Sequence, residues 1–329
     1  MDRSSKATPS GAHAAAVIGV IVVLGQGCHQ PHWPDPPPID PAVFLVEHQM
    51  WRAERHSRLR DSAHSFTHWV GLWPLREGVT AFGADSTLPI VLPPLAATPL
   101  AGQFRREGRR VTLELAADAR MAFHDGTTAS GVVPMASDSL REPSCVRLGS
   151  VHLWIHDELG RLFIRMADEA AFSPGSFRMP EEYPPDLGWR VAARLDRFRQ
   201  PRIQKVLDVT GELQDWAVPG HLVFRRGGRA FRLLAYREPG DTASLRLMFR
   251  DSTNASETYG AGRYLSVPAP DTTGWTVIDF NRARNPPCAF TTSSVCALPP
   301  QENRLATAVT AGEKRFDEHP AGPPPGPLH

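Results

Sequence analysis

Proline is the feature that most limits what this chain can fold into. It supplies 32 of the 329 residues, about twice its usual share. A proline inside a helix removes a hydrogen bond and clashes with the preceding turn, and a central strand excludes it because it lacks an N–H donor. The chain is therefore expected to form short strands joined by turns rather than long helices.

The length and the charge of the chain set the next limits. Its 329 residues, of which 41% are hydrophobic, are enough for one large domain or two small ones with a buried core. The 36 basic and 35 acidic residues nearly cancel and leave a net charge of +1. A nucleic-acid-binding protein would show a basic excess or a basic stripe, so no nucleic-acid partner is expected.

The N-terminus has the pattern of an export signal. A positively charged start is followed by the apolar run Ala14–Leu24, whose 11 residues are too few to span a bilayer. The segment Leu24–Cys28 resembles a bacterial lipobox, with Gly25 where leucine is usual. Residues 1–28 are therefore predicted to be a signal peptide of the lipoprotein type, with Cys28 as the lipidated residue. Ordinary cleavage nearby and an uncleaved anchor are the alternatives.

These residues predict an exported protein of the cell envelope, lipid-anchored and facing the periplasm. Membrane contact is then expected through the N-terminal anchor. Residues 29–41 contain six prolines, and residues 29–40 are predicted to form an extended tether. The Pro- and Gly-rich residues 317–329 are predicted to be a disordered tail, because they have too little apolar surface to bury.

Residues 41–77 are predicted to be helical. In the first part, up to Ser62, apolar residues at helical spacing form the predicted core-facing side. These are Val43, Val46, Met50 and Ala53, broadened by Phe44, Trp51 and Leu59. The predicted solvent side carries Glu47, Arg52, Glu54, Arg55 and Arg58. The aromatic segment Phe66–Leu75 is predicted to be a second helix that ends near Pro74.

From Gly78 the pattern changes to short runs of β-forming residues separated by Gly, Pro and Asp. It predicts a first β subdomain over residues 78–171 and a second over residues 189–316, joined by a Pro- and Gly-rich segment. A hairpin is expected at Gly227-Gly228, because glycine supplies the positive φ of a tight turn. The expected fold class is mainly β, with α+β character at the edge. An N-terminal helix packs on two small, consecutive barrel or sandwich subdomains.

Two motifs dominate the chemically richest stretch, residues 248–314. The first is ETYGAGRYL at Glu257–Leu265, and the second is DFNRARNPPCAF at Asp279–Phe290. With Cys296–Leu305 and Ala311–Lys314 they resemble the prokaryotic family of domain of unknown function 1684. Arg284 stands where that family suggests an aromatic residue, and Ala297 where it suggests proline. The resemblance implies no activity, and the cofactor is unknown.

Eight polar residues of this stretch form the candidate site. Asp279 and Asn281 are expected on one face of a strand, and the stiff Pro286-Pro287 turn follows them. One interpretation is a polar pocket that binds an unknown small molecule or an envelope protein. The other is a buried hydrogen-bond network that fixes long loops without a ligand. The eight residues are Arg263, Tyr264, Asp279, Asn281, Arg282, Asn285, Asn303 and Glu313.

Two cysteines of the same stretch have three interpretations. Cys288 and Cys296 could form a disulfide that closes a loop of about nine residues, remain buried free thiols, or act chemically. A metal site is not expected, because their spacing is too wide for zinc and no histidine lies close in sequence. An enzyme, either a hydrolase or a cysteine-dependent redox protein, would use Asp279, Glu313 or Cys288. A purely structural scaffold is the third alternative.

Overall fold

The computed structural model describes residues 33–61, 65–93, 98–171, 177–254 and 256–316. The predicted signal peptide with Cys28, the first residues of the predicted tether and the predicted tail 317–329 lie outside these ranges. Within them the fold is mainly β, as predicted, with 17 strands and one α-helix. No helix among the described residues is long and apolar enough to cross a membrane.

The helix α1 spans Pro41–Arg60 and begins where the proline-rich segment ends. The Asp40 carboxylate caps it by accepting hydrogen bonds from the amides of Ala42 and Val43, at 2.8 and 3.3 Å. Proline at the first helical position has no amide to satisfy and a φ that suits a helix. The start of α1 is therefore fixed by two adjacent residues of the sequence.

The side of α1 that packs on the protein differs from the predicted one, although Phe44 and Leu59 are buried as predicted. The buried side chains are Phe44, His48, Arg55 and Leu59. By contrast, Val43, Val46 and Met50 are 49%, 54% and 69% exposed. The prediction was wrong because two polar side chains find charged partners inside the protein: His48 meets Glu182, and Arg55 meets Glu313. Apolar spacing alone could not distinguish the two sides of this helix.

Two sheets enclose the first hydrophobic core. Their strands are β1 Trp69–Pro74, β2 Gly78–Gly83, β3 Ile90–Val91, β4 Gly102–Glu107, β5 Arg110–Leu115, β6 Met121–Phe123, β7 Thr128–Ala129, β8 Val132–Pro134, β9 Cys145–Leu148, β10 Val151–Glu158 and β11 Arg161–Asp168. The strand orders are β1-β11-β10-β9-β6-β7 and β3-β2-β4-β5-β8. One buried cluster takes side chains from both sheets, among them Phe82, Phe104, Leu153 and Ile164.

Strand β1 replaces the second helix predicted over Phe66–Leu75. A short 3₁₀ turn, Phe66–His68, precedes it, and β1 then pairs antiparallel with β11. Pairing satisfies the backbone of β1 and overrides the weak helical spacing of its aromatic residues, as tertiary contacts often do. Residues 41–77 were predicted to be helical, but in the described part of this range the α-helix ends at Arg60.

The third sheet contains six strands from the second half of the chain. They are β12 Arg190–Leu207, β13 Leu213–Arg226, β14 Arg229–Arg237, β15 Ser244–Phe249, β16 Arg263–Pro268 and β17 Trp275–Asp279. Their order is β16-β15-β14-β13-β12-β17. The two edges approach each other, because Tyr264 on β16 and Arg284 after β17 exchange backbone hydrogen bonds of 2.9 Å in both directions. The sheet is therefore nearly closed into a barrel.

The hairpin between β13 and β14 confirms the prediction made from its two glycines. Gly227 and Gly228 have φ values of 56° and 75°, which residues with a side chain rarely adopt. Strand register then decides which side chains enter the barrel. Leu247 and Phe249 on β15 point into its core, whereas Met248 points outward and packs with the loop that carries the two cysteines.

The sheets belong to one compact unit, which begins at Asp35. Strands from residues 69–168 form the first two sheets, and strands from residues 190–279 form the third. The first group begins at β1, nine residues before the predicted boundary at Gly78. The division into two β subdomains stays a prediction.

Candidate functional site

Glu313 ties the N-terminal helix to the C-terminal segment. Its carboxylate accepts hydrogen bonds from Nε and Nη2 of Arg55, at 2.7 and 3.3 Å, and from the amide of Asn285 at 2.7 Å. Arg55 also donates to the carbonyl of Asn285 at 3.2 Å. The two charged side chains are 9% and 1% exposed. Because either charge alone would be costly in this place, the pair fixes α1 in one position on the barrel.

Arg263 is completely buried and joins the barrel to the last described residues. Its Nη2 donates to the Asp251 carboxylate at 2.8 Å and to the carbonyl of Val309 at 2.9 Å. Its Nη1 donates to the carbonyl of Ala311 at 2.5 Å. The Asp251 carboxylate also holds the amide of Thr253 at 2.9 Å. Arg263 is therefore the centre of an internal network.

Asn303 substitutes for missing strand pairing between β14 and β15. These strands pair at a single position, Tyr236 with Arg246. The Asn303 side chain accepts a hydrogen bond from the amide of Leu234 at 2.7 Å and donates to the carbonyls of Leu234 and Met248, at 3.0 and 2.8 Å. One amide group thus satisfies three backbone groups where the sheet opens.

Asp279 and Asn281 fasten the segment that leads into β12. Strand β17 ends at Asp279, so Asn281 lies in a 3₁₀ turn and not on the predicted strand face. The two side chains still meet, because the Asn281 amide group donates to Asp279 at 2.8 Å. Asn281 also accepts from the amide of Asp186 and donates to its carbonyl, both at 2.9 Å. Arg282 lies further out, 3.5 Å from Asp279 and 3.7 Å from Glu47 on α1.

Tyr264 and the two thiols line the outer face of the barrel. The Tyr264 hydroxyl donates to the carbonyl of Ala297 at 2.6 Å, and burial raises its pKa well above the ordinary value. The Cys288 amide donates to Sγ of Cys296 at 3.2 Å, and both thiols are free in the structure. The hydrogen bond between the thiols, together with burial, raises the pKa of Cys288 and disfavours the nucleophilic thiolate. The disulfide stays a prediction.

The structure distributes the eight predicted residues among several internal contacts. Six of them are at most 5% exposed, namely Arg263, Tyr264, Asn281, Asn285, Asn303 and Glu313. Their polar groups mostly meet backbone or side-chain partners within the protein. This geometry favours the network interpretation of these residues over a pocket formed by all eight. Among the described residues, no group of three or more His, Cys, Asp or Glu side chains is placed to hold a metal ion.

A cleft between α1 and the third sheet carries the solvent-facing polar groups. Two cavities of about 470 and 340 Å³ share Arg55, Arg58 and Arg284 in their walls. Aromatic side chains also line them: Trp51 in the first, and Phe66 and Tyr264 in the second. Five arginines line these cavities, and we call the site the arginine cleft. They are Arg55, Arg58, Arg246, Arg282 and Arg284. The lining also contains two carboxylates, which come from Glu54 and Asp61.

Arg284 differs from the other four arginines of the cleft. Those four have carboxylate partners, which are Glu313 for Arg55, Glu54 for Arg58, Glu238 for Arg246, and Asp279 and Glu47 for Arg282. The Arg284 side chain is half-buried and makes no hydrogen bond or ion pair with any residue that the structure describes. Burial and the positive charges of Arg55 and Arg246 lower the pKa of Arg284 to about 10. Glu313 and Glu238 act on Arg284 electrostatically but form no ion pair with it, and a partly desolvated cation of this kind favours the binding of an anion.

The sequence prediction missed this cleft. It placed Arg55 and Arg58 on the solvent side of α1 and gave Arg284 no role. Their spacing is the signal that could have been followed, because Arg55 and Arg58 lie three apart on a helix and Arg282 and Arg284 two apart after a strand. The packing that brings the two pairs together is a tertiary contact, which spacing does not reveal.

Comparison with known proteins shows similarity over the part of the chain that contains the third sheet. The solution NMR structure of an uncharacterized protein from gene locus rrnAC0354 of Haloarcula marismortui is 29% identical. The match covers 45% of this chain and 84% of that chain, with a TM-score of 0.38. No curated protein matches the chain. Residues 175–314 match the family model described as "Protein of unknown function (DUF1684)", and this range includes all eight predicted residues. The resemblance predicted from the sequence is thus confirmed over residues 175–314.

Proposed function

We propose that this protein is exported, anchored by a lipid in the cell envelope, and binds a small anionic ligand in the arginine cleft. The observation that carries the binding is Arg284, a half-buried guanidinium that faces the cleft without a carboxylate partner among the described residues. The four other arginines line the same cleft, each beside a carboxylate partner. A cavity lined in this way is suited to a ligand that brings its own negative charge.

The chemistry of the walls indicates which anions fit. A guanidinium binds carboxylate and phosphate groups through two parallel hydrogen bonds, which a point charge cannot do. Trp51, Phe66 and Tyr264 offer apolar surface beside the arginines for the remainder of such a molecule. The cavities of about 470 and 340 Å³ have the size of ordinary small-molecule sites. The ligand class is therefore a small carboxylate or phosphate compound with an apolar part.

Titration calorimetry with the purified protein tests the binding. The probes are inorganic phosphate, phenyl phosphate and benzoate, at low and at high salt. Because a charge-assisted hydrogen bond contributes about 1.5–3 kcal/mol, Arg284→Ala is expected to weaken binding roughly 10- to 150-fold. The matched control is Arg110→Ala, an exposed arginine at the start of β5 that does not line the cleft. Equal affinity of the Arg284→Ala and Arg110→Ala proteins for the bound probe would refute the site, and so would binding of none of the three.

The anchor rests on the N-terminal sequence. The positively charged start, the apolar run Ala14–Leu24 and the lipobox-like residues before Cys28 support it. Metabolic labelling with a radioactive fatty acid is expected to mark the wild-type protein and to leave the Cys28→Ser protein unlabelled. Fractionation should then find the wild-type chain with membranes. An unlabelled wild-type protein would contradict the anchor without affecting the proposed ligand site.

A further inference from the structure

The outward side of α1 carries an apolar stripe that the fold does not use. Within the described part of the chain, 13 large hydrophobic residues are exposed, and four of them fall between positions 43 and 50. Three of the four, Val43, Val46 and Met50, are spaced three and four residues apart and so share one side of the helix. They are named here the outer stripe. Their exposed fractions are 49%, 54% and 69%.

The outer stripe lies opposite the side that holds α1 on the protein. At about 100° per residue, Phe44, His48, Arg55 and Leu59 fall on the other side of the helix, and these are its buried side chains. The Arg55–Glu313 ion pair fixes that side. Rotation of α1 to bury the outer stripe would therefore remove Arg55 from its partner. The stripe is a stable external surface about 10 Å long, since seven residues separate its ends.

The position of α1 in the chain indicates what covers this surface. Twelve residues, 29–40, separate Cys28 from the start of the helix. Their many prolines favour an extended conformation of about 3.1 Å per residue, so the helix starts at most about 40 Å from a lipidated Cys28. Tethering at this range keeps a weak binding face at millimolar effective concentration next to the bilayer. The anchor would then supplement the weak membrane affinity of a stripe of three apolar residues.

We propose that the outer stripe docks into the interface of the lipid bilayer that holds the anchor, so that α1 lies along the membrane surface. This inference rests on the proposed lipid anchor. The apolar side of such an interfacial helix enters the boundary between headgroups and acyl chains. Arg58 and Arg60 close the last turn of α1, where they meet the level of the lipid phosphates. Glu54, one turn after Met50, lines the arginine cleft, so docking brings the cleft beside the headgroups.

Site-specific photo-crosslinking of the full acylated chain tests the docking. Benzoylphenylalanine is introduced at Val46 or Met50, and the protein is reconstituted into vesicles of phosphatidylethanolamine and phosphatidylglycerol. Irradiation followed by mass spectrometry identifies the adducts. The matched controls are Ile203 on β12 and Val132 on β8, which are 66% and 64% exposed. All four positions are exposed, so the replacements leave the core intact.

The expected result is lipid adducts at Val46 and Met50 in at least tenfold higher yield than at Ile203 and Val132. Equal lipid yields at all four positions would overturn the docking, and so would adducts that join two copies of the chain through the outer stripe. Flotation of the same vesicles separates the two proposals. A wild-type chain that does not float refutes the anchor and the docking together. A chain that floats without adducts at the outer stripe refutes the docking alone.

Discussion

Replacement of Glu313 by glutamine removes one charge of the buried Arg55–Glu313 pair and keeps the size of the side chain. The Arg55 guanidinium, 9% exposed, then has no counter-charge at hydrogen-bond distance. Loss of one partner of a buried pair costs about 3–5 kcal/mol of unfolding free energy. Arg55 still donates to the carbonyl of Asn285, and the glutamine oxygen still accepts one bond, so the lower end applies. We expect a loss of about 3 kcal/mol, or roughly 5–10 °C in Tm.

Urea unfolding followed by tryptophan fluorescence measures this loss, and amide hydrogen exchange shows where it falls. If α1 opens locally before the barrel unfolds, the amides of residues 44–60 lose protection first. A double-mutant cycle with Arg55→Met isolates the pair. The double variant should be less destabilised than the sum of the two single variants by at least about 1 kcal/mol, because both buried charges are then gone.

The same helix provides the control. Arg58 and Glu54 form an i,i+4 ion pair with 74% and 60% exposed side chains. Glu54→Gln is expected to change the free energy of unfolding by less than about 0.5 kcal/mol, because solvent screens an exposed pair. A Glu313→Gln protein as stable as the Glu54→Gln protein, with unchanged exchange in α1, would refute the claim that the buried pair holds the helix in place.

Three further predictions concern other parts of the fold. Asn303→Ala leaves three buried backbone groups without partners and is expected to cost about 3 kcal/mol or more in urea unfolding; a loss below about 1 kcal/mol would contradict its role. Gly262→Ala combines a φ of 110° with a new methyl group 2.7 Å from a backbone oxygen, and should lower Tm clearly, whereas Gly260→Ala meets no atom within 4 Å and should not. Burial, the largest single effect, would lower the pKa of His156, but its hydrogen bonds to Asp138 and Glu158 together outweigh burial and raise the pKa above the ordinary value. These hydrogen bonds therefore stabilise the fold fully below about pH 6.5, and their contribution is lost as pH rises through the raised pKa, so the stability difference from His156→Gln should shrink as pH rises above about 6.5.

The class of the fold could be predicted because it depends on local residues. Prolines and glycines divide the chain into short segments, and the positive φ of Gly227 and Gly228 follows directly from their identity. The start of α1 follows in the same way from Asp40 and Pro41, which act within one helical turn. Such features need no knowledge of the rest of the molecule.

The errors concern contacts between distant parts of the chain. The helical pattern placed Arg55 on the solvent side of α1, because its partner Glu313 lies 258 residues further on. Strand β1 could not be predicted from its own residues, because it depends on pairing with β11, about 90 residues away. The arginine cleft has the same origin, since α1 contributes Arg55 and Arg58 and the end of the third sheet contributes Arg284. The spacing of residues within a short segment carries no information about contacts between segments that are far apart in the sequence.

The bonds of Arg263 also impose an order on the maturation of the chain. Its guanidinium donates to the carbonyls of Val309 and Ala311, which lie 46 and 48 residues after it in the sequence. A chain that emerges from its N-terminus thus presents all six strands of the third sheet before these carbonyls exist. Until then, the Arg263 guanidinium lacks two of its hydrogen-bond acceptors, and burying its charge is unfavourable. Closure of the barrel around Arg263 is therefore expected only once residues 309–311 are present, and a chain truncated at Arg304 is expected to remain open.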